Sequence, residues 1–159
     1  MQKIIPFLLL LISSLVITAQ EKNEQQEVKK VIETFFIGLH KGDSTIMKST
    51  LHKDIKIQTT FTNREGLKNL NTQSRQALLT GVANKKPENV YLEKLLSYNI
   101  KIDANLASVW TPYEFYLNDN FSHCGANSFQ LFNNNGKWQI IYIVDMRRRD
   151  NCKALKDKK

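Results

Sequence analysis

The last third of the chain, residues 106–149, has the pattern of three consecutive strands joined by very short turns. Apolar, aromatic and β-branched residues fill each strand, and the asparagine-rich segments 118–120 and 133–136 separate them. Short turns join antiparallel neighbours, and alternate side chains of a strand lie on opposite faces. This block therefore predicts an antiparallel sheet with two distinct surfaces.

The residues before this block predict mainly helices. Apolar side chains recur at three- and four-residue steps over residues 24–40, the pattern of an amphipathic helix. Gly42 is predicted to end this helix, and Asp43 to cap a second helix over residues 44–51. Asn63 is predicted to cap a third helix. That third helix would run through Leu67, Leu70, Leu78 and Leu79.

Two further segments predict strands. Apolar and polar residues alternate over residues 55–61, and residues 90–102 have the composition of another strand, followed by a turn at 103–105. Helices therefore precede a run of strands with short connections. This order predicts an α+β domain in which helices cover one face of a curved sheet.

The two ends of the chain differ from this pattern. Residues 1–19 combine one lysine, a short apolar run and small residues, as a secretory signal peptide does, and we expect cleavage after Ala19. No other segment is apolar enough to span a bilayer. Residues 20–149 then form a single domain and residues 150–159 a basic tail. The expected location is periplasmic or secreted.

The net charge of +8 is concentrated at the C-terminus. Residues 147–159 contain seven basic and two acidic side chains, so most of the excess charge lies there. Such a run is typical of a solvated tail. Nucleic-acid binding instead requires basic groups spread over a folded face, and we therefore expect no nucleic-acid partner.

Both ends of the expected domain resemble the nuclear transport factor 2-like superfamily. The opening VKKVIETFFIGLHKGDSTIMKSTLHKDIKI, and the terminal YEFYL, HCG and GKWQIIYIVDMRR segments, are similar to its secreted bacterial members, called SnoaL-like or putative lumazine-binding. The resemblance implies a cone-shaped α+β barrel: a strongly curved antiparallel sheet packed on N-terminal helices, with a pocket between them. It also implies a homodimer through the outer sheet face. It does not imply one function, because binders and enzymes share this fold.

Two-residue turns at Asn135-Gly136 and Asp119-Asn120 would divide the terminal strands into two faces. In that register Asn127 pairs with Val144, His123 with Tyr116, and Phe129 with Tyr142 and Trp110. We assign the more aromatic face to the concave side and expect three helix residues to close the pocket. The expected pocket comprises Phe35, Phe36, Leu39, Trp110, Glu114, Tyr116, His123, Asn127, Phe129, Tyr142 and Arg148. Asp145 and Arg147 would form an ion pair on the outer face.

Three of these side chains are candidates for chemistry. Glu114 or His123 could transfer protons, and Tyr116 could donate to a developing oxyanion. The alternatives are a histidine satisfied by its neighbour and a glutamate paired with Arg148 or His123. Whether the protein is an enzyme therefore stays open.

The two cysteines, Cys124 and Cys152, could form a disulfide after export or remain free thiols. A catalytic Cys124–His123 pair is not expected, because adjacent strand residues point to opposite faces.

No metal-ligand spacing, phosphate loop or hydrolase motif is present, so no metal or cofactor is expected. The sequence favours an exported domain that binds an unidentified small molecule. One alternative is an isomerase, cyclase or dehydratase. Another is a non-catalytic module associated with the cell envelope.

Overall fold

The computed structural model describes the backbone of residues 5–152 and the side chains of residues 20–152. Three helices and seven strands make up the fold. They are α1 (Ile5–Lys41), α2 (Ser44–Thr50), β1 (Leu51–Thr62), β2 (Lys68–Gln73), α3 (Arg75–Ala83), β3 (Tyr91–Leu95), β4 (Asn99–Asp103), β5 (Leu106–Leu117), β6 (Asn120–Asn134) and β7 (Lys137–Arg148). The side chains of the predicted signal peptide and residues 153–159 of the predicted tail lie outside the described residues.

The end of α1 and the start of α2 lie where the sequence predicted them. Gly42 ends α1 at a φ of +70°, a left-handed conformation that glycine adopts without a steric penalty. The Asp43 carboxylate then accepts hydrogen bonds from the amides of Thr45 and Ile46, which would otherwise lack partners at the start of α2. The short turn folds α2 back against α1.

The predicted third helix is wrong in its first half. Residues 68–73 form β2, whose register pairs Phe61 with Asn69 and Ile57 with Gln73. Helix α3 begins only at Arg75, where the Ser74 hydroxyl accepts a hydrogen bond from the amide of Ala77. The leucine spacing suggested one helix, but the two halves of the segment belong to different elements.

The predicted strand over residues 90–102 is two strands. Both β3 and β4 pair with β5, one with its second half and the other with its first half. Residues 96–98 interrupt them. One edge of the sheet therefore consists of two five-residue strands.

The sheet is curved and open, with the order β2-β1-β7-β6-β5-β3 and with β4 also paired to β5. The predicted antiparallel pairing holds for β5, β6 and β7. By contrast β1 and β7, which are far apart in the chain, are parallel. This pair sets Thr59 beside Asp145 and Phe61 beside Arg147 on one face.

The helices fill one end of the cone with apolar side chains. Phe35 and Phe36 of α1 lie 6.0 and 6.1 Å from Phe129 between ring centroids, in edge-to-face contacts. The predicted helical wall therefore packs against the concave face, and Leu39 lies partly buried against the same core. The other core residues contributed by the sheet include Leu51, Ile55, Ile57, Ala107, Val109, Leu131, Trp138, Ile140 and Ile143.

Candidate functional site

Two β-bulges decide which side chains of the last three strands share a face. Asn134 pairs with Lys137 as predicted, but Ile141 is an extra residue in β7. Beyond it, Asn127 pairs with Asp145 rather than with Val144. Because side chains alternate, one extra residue moves every later side chain of the strand to the opposite face.

The turn between β5 and β6 adds a second shift. Its central residues are Asn118 and Asp119, with φ of 51° and 62°, rather than Asp119 and Asn120. Ser122 is then an extra residue in β6, so His123 pairs with Phe115 instead of Tyr116. The predicted register of β5 against β6 is therefore wrong by one residue.

The same two shifts change the pairing of Phe129, which lies opposite Val109 and Ile143. They leave the side chains of β6 on their predicted faces. The side chains of β5 and β7, by contrast, lie on the faces opposite to those predicted. The concave face comprises Val109, Thr111, Tyr113, Phe115, His123, Asn127, Phe129, Ile143, Asp145 and Arg147.

The outer face receives the rest of the expected pocket: Trp110, Glu114, Tyr116, Tyr142 and Arg148. Trp110 is 51% exposed. The Tyr116 hydroxyl donates to the Glu114 carboxylate at 2.9 Å, and Tyr142 donates to Gln58 on β1. The structure therefore separates the two leading proton-transfer candidates, Glu114 and His123, onto opposite faces of the sheet.

Cys124 and Cys152 are joined by a disulfide on the outer side. Cys124 pairs with Arg148 across the β6–β7 ladder, and the chain turns back after β7 to bring Cys152 over the sheet. Cys124 is fully buried, while His123 beside it points into the cone. The expectation that these neighbours cannot form a catalytic pair agrees with this geometry.

A cluster of polar side chains lies on the concave face beyond the apolar core, centred on Asp145. This carboxylate accepts hydrogen bonds from the Thr59 hydroxyl at 2.5 Å, the Tyr113 hydroxyl at 3.4 Å and the Arg147 Nε at 2.6 Å. The ion pair expected between Asp145 and Arg147 therefore exists, but on the inner rather than the outer face. Burial, with the neighbouring carboxylates, raises the pKa of Tyr113, so this phenol is a donor at neutral pH.

A second carboxylate, Glu93, reaches the same cluster from β3. Its Oε1 accepts a hydrogen bond from Asn127 Nδ2 at 2.8 Å. The pKa of Glu93 is raised to about 7, mainly by burial and also by repulsion from Asp145, while the Asn127 hydrogen bond and Arg147 oppose the shift. The Glu93 amide donates to His40 Nε2 at 2.9 Å, which ties β3 to the end of α1.

Thr111 lies directly opposite Asn127 on the concave face and is fully buried. Its hydroxyl oxygen finds no hydrogen-bond partner within the described part of the chain. A buried hydroxyl without a partner costs free energy, so Thr111 lowers the stability of this part of the sheet.

His123 forms one wall of the polar region. Its ring stacks on Phe115 with centroids 4.8 Å apart, and Nδ1 lies 3.1 Å from the Ser122 hydroxyl. The pKa of His123 is lowered to about 4, mainly by burial and also by the positive charges of Arg147 and Arg149, while Asp145 opposes the shift. His123 is therefore neutral at physiological pH, as a satisfied histidine would be.

An open cleft of about 1520 Å³ at the mouth of the cone borders the polar region at Thr59, His123 and Arg147. The cleft lies between the ends of β1 and β2 on one side and those of β6 and β7 on the other. Its inner lining combines an aromatic ring, amides, a hydroxyl, an imidazole and a guanidinium. These belong to Phe61, Asn69, Asn71, Gln73, Thr59, His123 and Arg147.

Sequence reasoning missed Glu93, Tyr113 and most of the cleft lining. The one sequence feature that pointed to this polar cluster was Asp145, a carboxylate that directly follows the apolar run of residues 140–144. Among the residues described, no three His, Cys, Asp or Glu side chains are grouped as metal ligands would be. Within the same residues, no helix has the length and apolarity of a membrane span.

Residues 23–144 match the model of a family described as "Putative lumazine-binding". No protein of curated function matches the sequence significantly.

Three solved structures illustrate the shared fold. A nuclear transport factor 2-like protein of unknown function from Shewanella baltica OS155 is 18% identical, with a TM-score of 0.59 over 80% of this chain and 96% of that one. A protein of unknown function from Mycobacterium tuberculosis is 12% identical, with a TM-score of 0.67 over 83% and 76%. A nuclear transport factor 2-like protein with a cystatin-like fold from Novosphingobium aromaticivorans is 11% identical, with a TM-score of 0.64 over 90% and 95%.

Proposed function

Because the chain belongs to the "Putative lumazine-binding" family of the nuclear transport factor 2-like superfamily, we propose that it is an exported domain that binds a small organic molecule in the mouth cleft. The family supports the general function of small-molecule binding. Export is supported by the leader-like residues 1–19 and by the Cys124–Cys152 disulfide, since disulfides persist in oxidising compartments. Mass spectrometry of the mature protein should find Gln20 as its first residue.

The observation that carries the proposal is the composition of the cleft. Small-molecule sites combine apolar or aromatic surface with a few convergent polar groups. Phe61 supplies the aromatic surface and is 38% exposed, so its ring is accessible from the cleft. Arg147 supplies a charge, and Asp145 holds its side chain by a hydrogen bond from Nε.

Thermal-shift measurements with lumazine and other flat heterocycles test this function. We expect at least one such compound to stabilise the protein, and Phe61→Ala to remove that stabilisation because it deletes the aromatic wall of the cleft. Trp110→Ala is the matched control, since this exposed aromatic residue lies on the outer face of the same sheet. If the ligand response is lost with Trp110→Ala and kept with Phe61→Ala, the site is not this cleft.

A proton-transfer enzyme is the second candidate, and the two concave-face carboxylates favour it. Asp145 accepts three hydrogen bonds, one of them from a guanidinium, whereas Glu93 has the Asn127 amide as its hydrogen-bond partner. Glu93, with a pKa raised to about 7, is the group suited to accept a proton near neutral pH.

The ring opening of 5-nitrobenzisoxazole tests whether Glu93 is an accessible base. Glu93 would remove the proton from C3 while the N–O bond breaks, which releases 2-cyano-4-nitrophenolate. We expect the rate to rise with pH through about 7 and Glu93→Gln to lower it by about 100-fold. Glu114→Gln should retain the rate, because Glu114 lies on the outer face. Equal rates in the wild type and Glu93→Gln would remove Glu93 as a base.

A further inference from the structure

We propose that the ligand of the mouth cleft is a small organic anion: a flat, partly apolar body that carries a carboxylate, sulfonate or phosphate. This inference rests on the proposed binding function and specifies the chemistry of the ligand. It depends on the distribution of charge and hydrogen-bond donors around the cleft.

Basic side chains dominate the lining of the cleft. Four of them border it, from the β1–β2 turn, the start of β2 and the end of β7. These are Arg64, Lys68, Arg147 and Arg149, whereas the side chain of Arg148 lies on the outer face. Asp150 is the one acidic side chain among the described residues of the lining. Asp145 lies deeper than the lining and accepts a hydrogen bond from Arg147. The cations come from both sides of the opening, so their fields add within it.

Arg147 is positioned to contact an anion inside the cleft. Its Nε donates to Asp145, a buried carboxylate that also accepts from Thr59 and Tyr113. This bond orients the guanidinium and uses only one of its five N–H donors. The terminal N–H groups can then form the paired hydrogen bonds that a planar carboxylate or a phosphate accepts.

The neutral groups of the lining fit the same ligand. Asn69, Asn71 and Gln73 lie on the inner face of β2, opposite Phe61, Thr59 and Ile57 of β1. Their amides can donate to an anion without requiring a counter-charge. Phe61 lies between these amides and Arg147, and thus offers a surface for an apolar body.

A small anion fits this arrangement better than a nucleic acid does. Binding a polynucleotide calls for basic groups along an extended face, with several aromatic side chains on which bases stack. Here one guanidinium lies inside a concave cleft, and the other cations lie at its rim. The positive charge is therefore concentrated around one cleft instead of being distributed along an extended face.

Two fluorescent probes that differ by one sulfonate test the inference. They are 8-anilinonaphthalene-1-sulfonate, an anion, and N-phenyl-1-naphthylamine, its neutral counterpart. We expect the anionic probe to bind at least ten-fold more tightly, with an affinity that falls as NaCl rises from 0.05 to 0.5 M because salt screens the attraction. Arg147→Gln should reduce the affinity for the anionic probe about ten-fold and leave the neutral probe unchanged.

The other variants separate the possible outcomes. Arg64→Gln, in an exposed turn, should reduce the affinity for the anionic probe by less than Arg147→Gln does, without affecting folding. Lys101→Gln on β4, away from the cleft, should leave this affinity unchanged. If both probes bind equally and Arg147→Gln changes neither, the ligand is not an anion, although the binding function stands. If neither probe binds, the binding function fails too. Tighter binding of a single-stranded oligonucleotide that displaces the anionic probe would favour nucleic acid and overturn the proposal.

Discussion

The closed floor of the cone and its open mouth are built from the same strands, yet their inner faces differ in chemistry. At the floor, Val109, Phe129 and Ile140 pack against the phenylalanines of α1 and exclude water. At the mouth, the same three strands carry Tyr113, His123 and Arg147. The change from apolar to polar occurs part-way along each strand.

The fourth strand changes in the same way. On β1 the inner residues are Ile55 and Ile57 towards the floor, and Thr59 and Phe61 towards the mouth. Because neighbouring strands change at the same level, the polar residues form one cluster instead of scattered sites. The comparison indicates that the floor supplies stability, while the mouth retains groups whose burial is costly unless they are paired.

The largest expected effect lies at the floor. Phe129→Ala removes a fully buried ring that contacts Phe35 and Phe36, so we expect a loss of about 3–5 kcal/mol in the free energy of unfolding. Urea denaturation measures it, with Phe121→Ala as the control, because Phe121 is 46% exposed. Similar losses in the two variants would mean that the floor does not hold the fold together.

The second effect is a dependence of stability on pH that originates at the mouth. The pKa of Glu93 is raised by folding from 4.5 to about 7, so the unfolded chain releases this proton first as the pH rises. Stability should therefore fall between about pH 4.5 and 7, by at most about 3 kcal/mol. Glu93→Gln, which keeps an acceptor for Asn127, should remove this contribution, so that stability at pH 8 relative to pH 4.5 is higher in the variant than in the wild type. A variant that retains the full pH dependence would contradict the assignment.

A smaller effect of opposite sign is expected from His123, because its ring is only half-buried and solvent screens its charge. Its folded pKa of about 4 lies below the ordinary 6.5, so the unfolded chain takes up the proton first as the pH falls. Stability should decrease as the pH falls from 6.5 towards 4, and His123→Gln should reduce that decrease in urea titrations. His52→Gln is a suitable control, because His52 lies at the start of β1. If the stability of His123→Gln falls as steeply as that of the wild type below pH 6.5, His123 is not responsible for the decrease.

Local chemistry explains why much of the fold could be predicted from the sequence. Residues close together in the chain determine the helix periodicity, the helix end at Gly42, the helix cap at Asp43 and the turn at Asn135-Gly136. They therefore predicted the second half of α1 (residues 24–40), α2 and the β6–β7 hairpin, and with them an α+β fold that the family resemblance made specific.

The site was harder to predict because two bulges control it. Ile141 lies in the apolar run 140–144, where nothing distinguishes the extra residue from its neighbours, and Ser122 gives no turn signal either. The pairing of Asp145 with Arg147 could be predicted, but not the face on which it lies. Glu93 was missed because its partner Asn127 lies two strands away and far along the chain.

The interruption between β3 and β4 has a consequence for solubility. An exposed edge strand can template intermolecular β-pairing, and proteins suppress this with short edges and lysine residues. Here the edge beside β5 is divided into two strands of five residues, with Lys94 on one and Lys101 on the other. The opposite edge, β2, has six residues and starts with Lys68. Both edges of the open sheet are thus poorly suited to propagating an aggregate, although the sheet never closes into a full barrel.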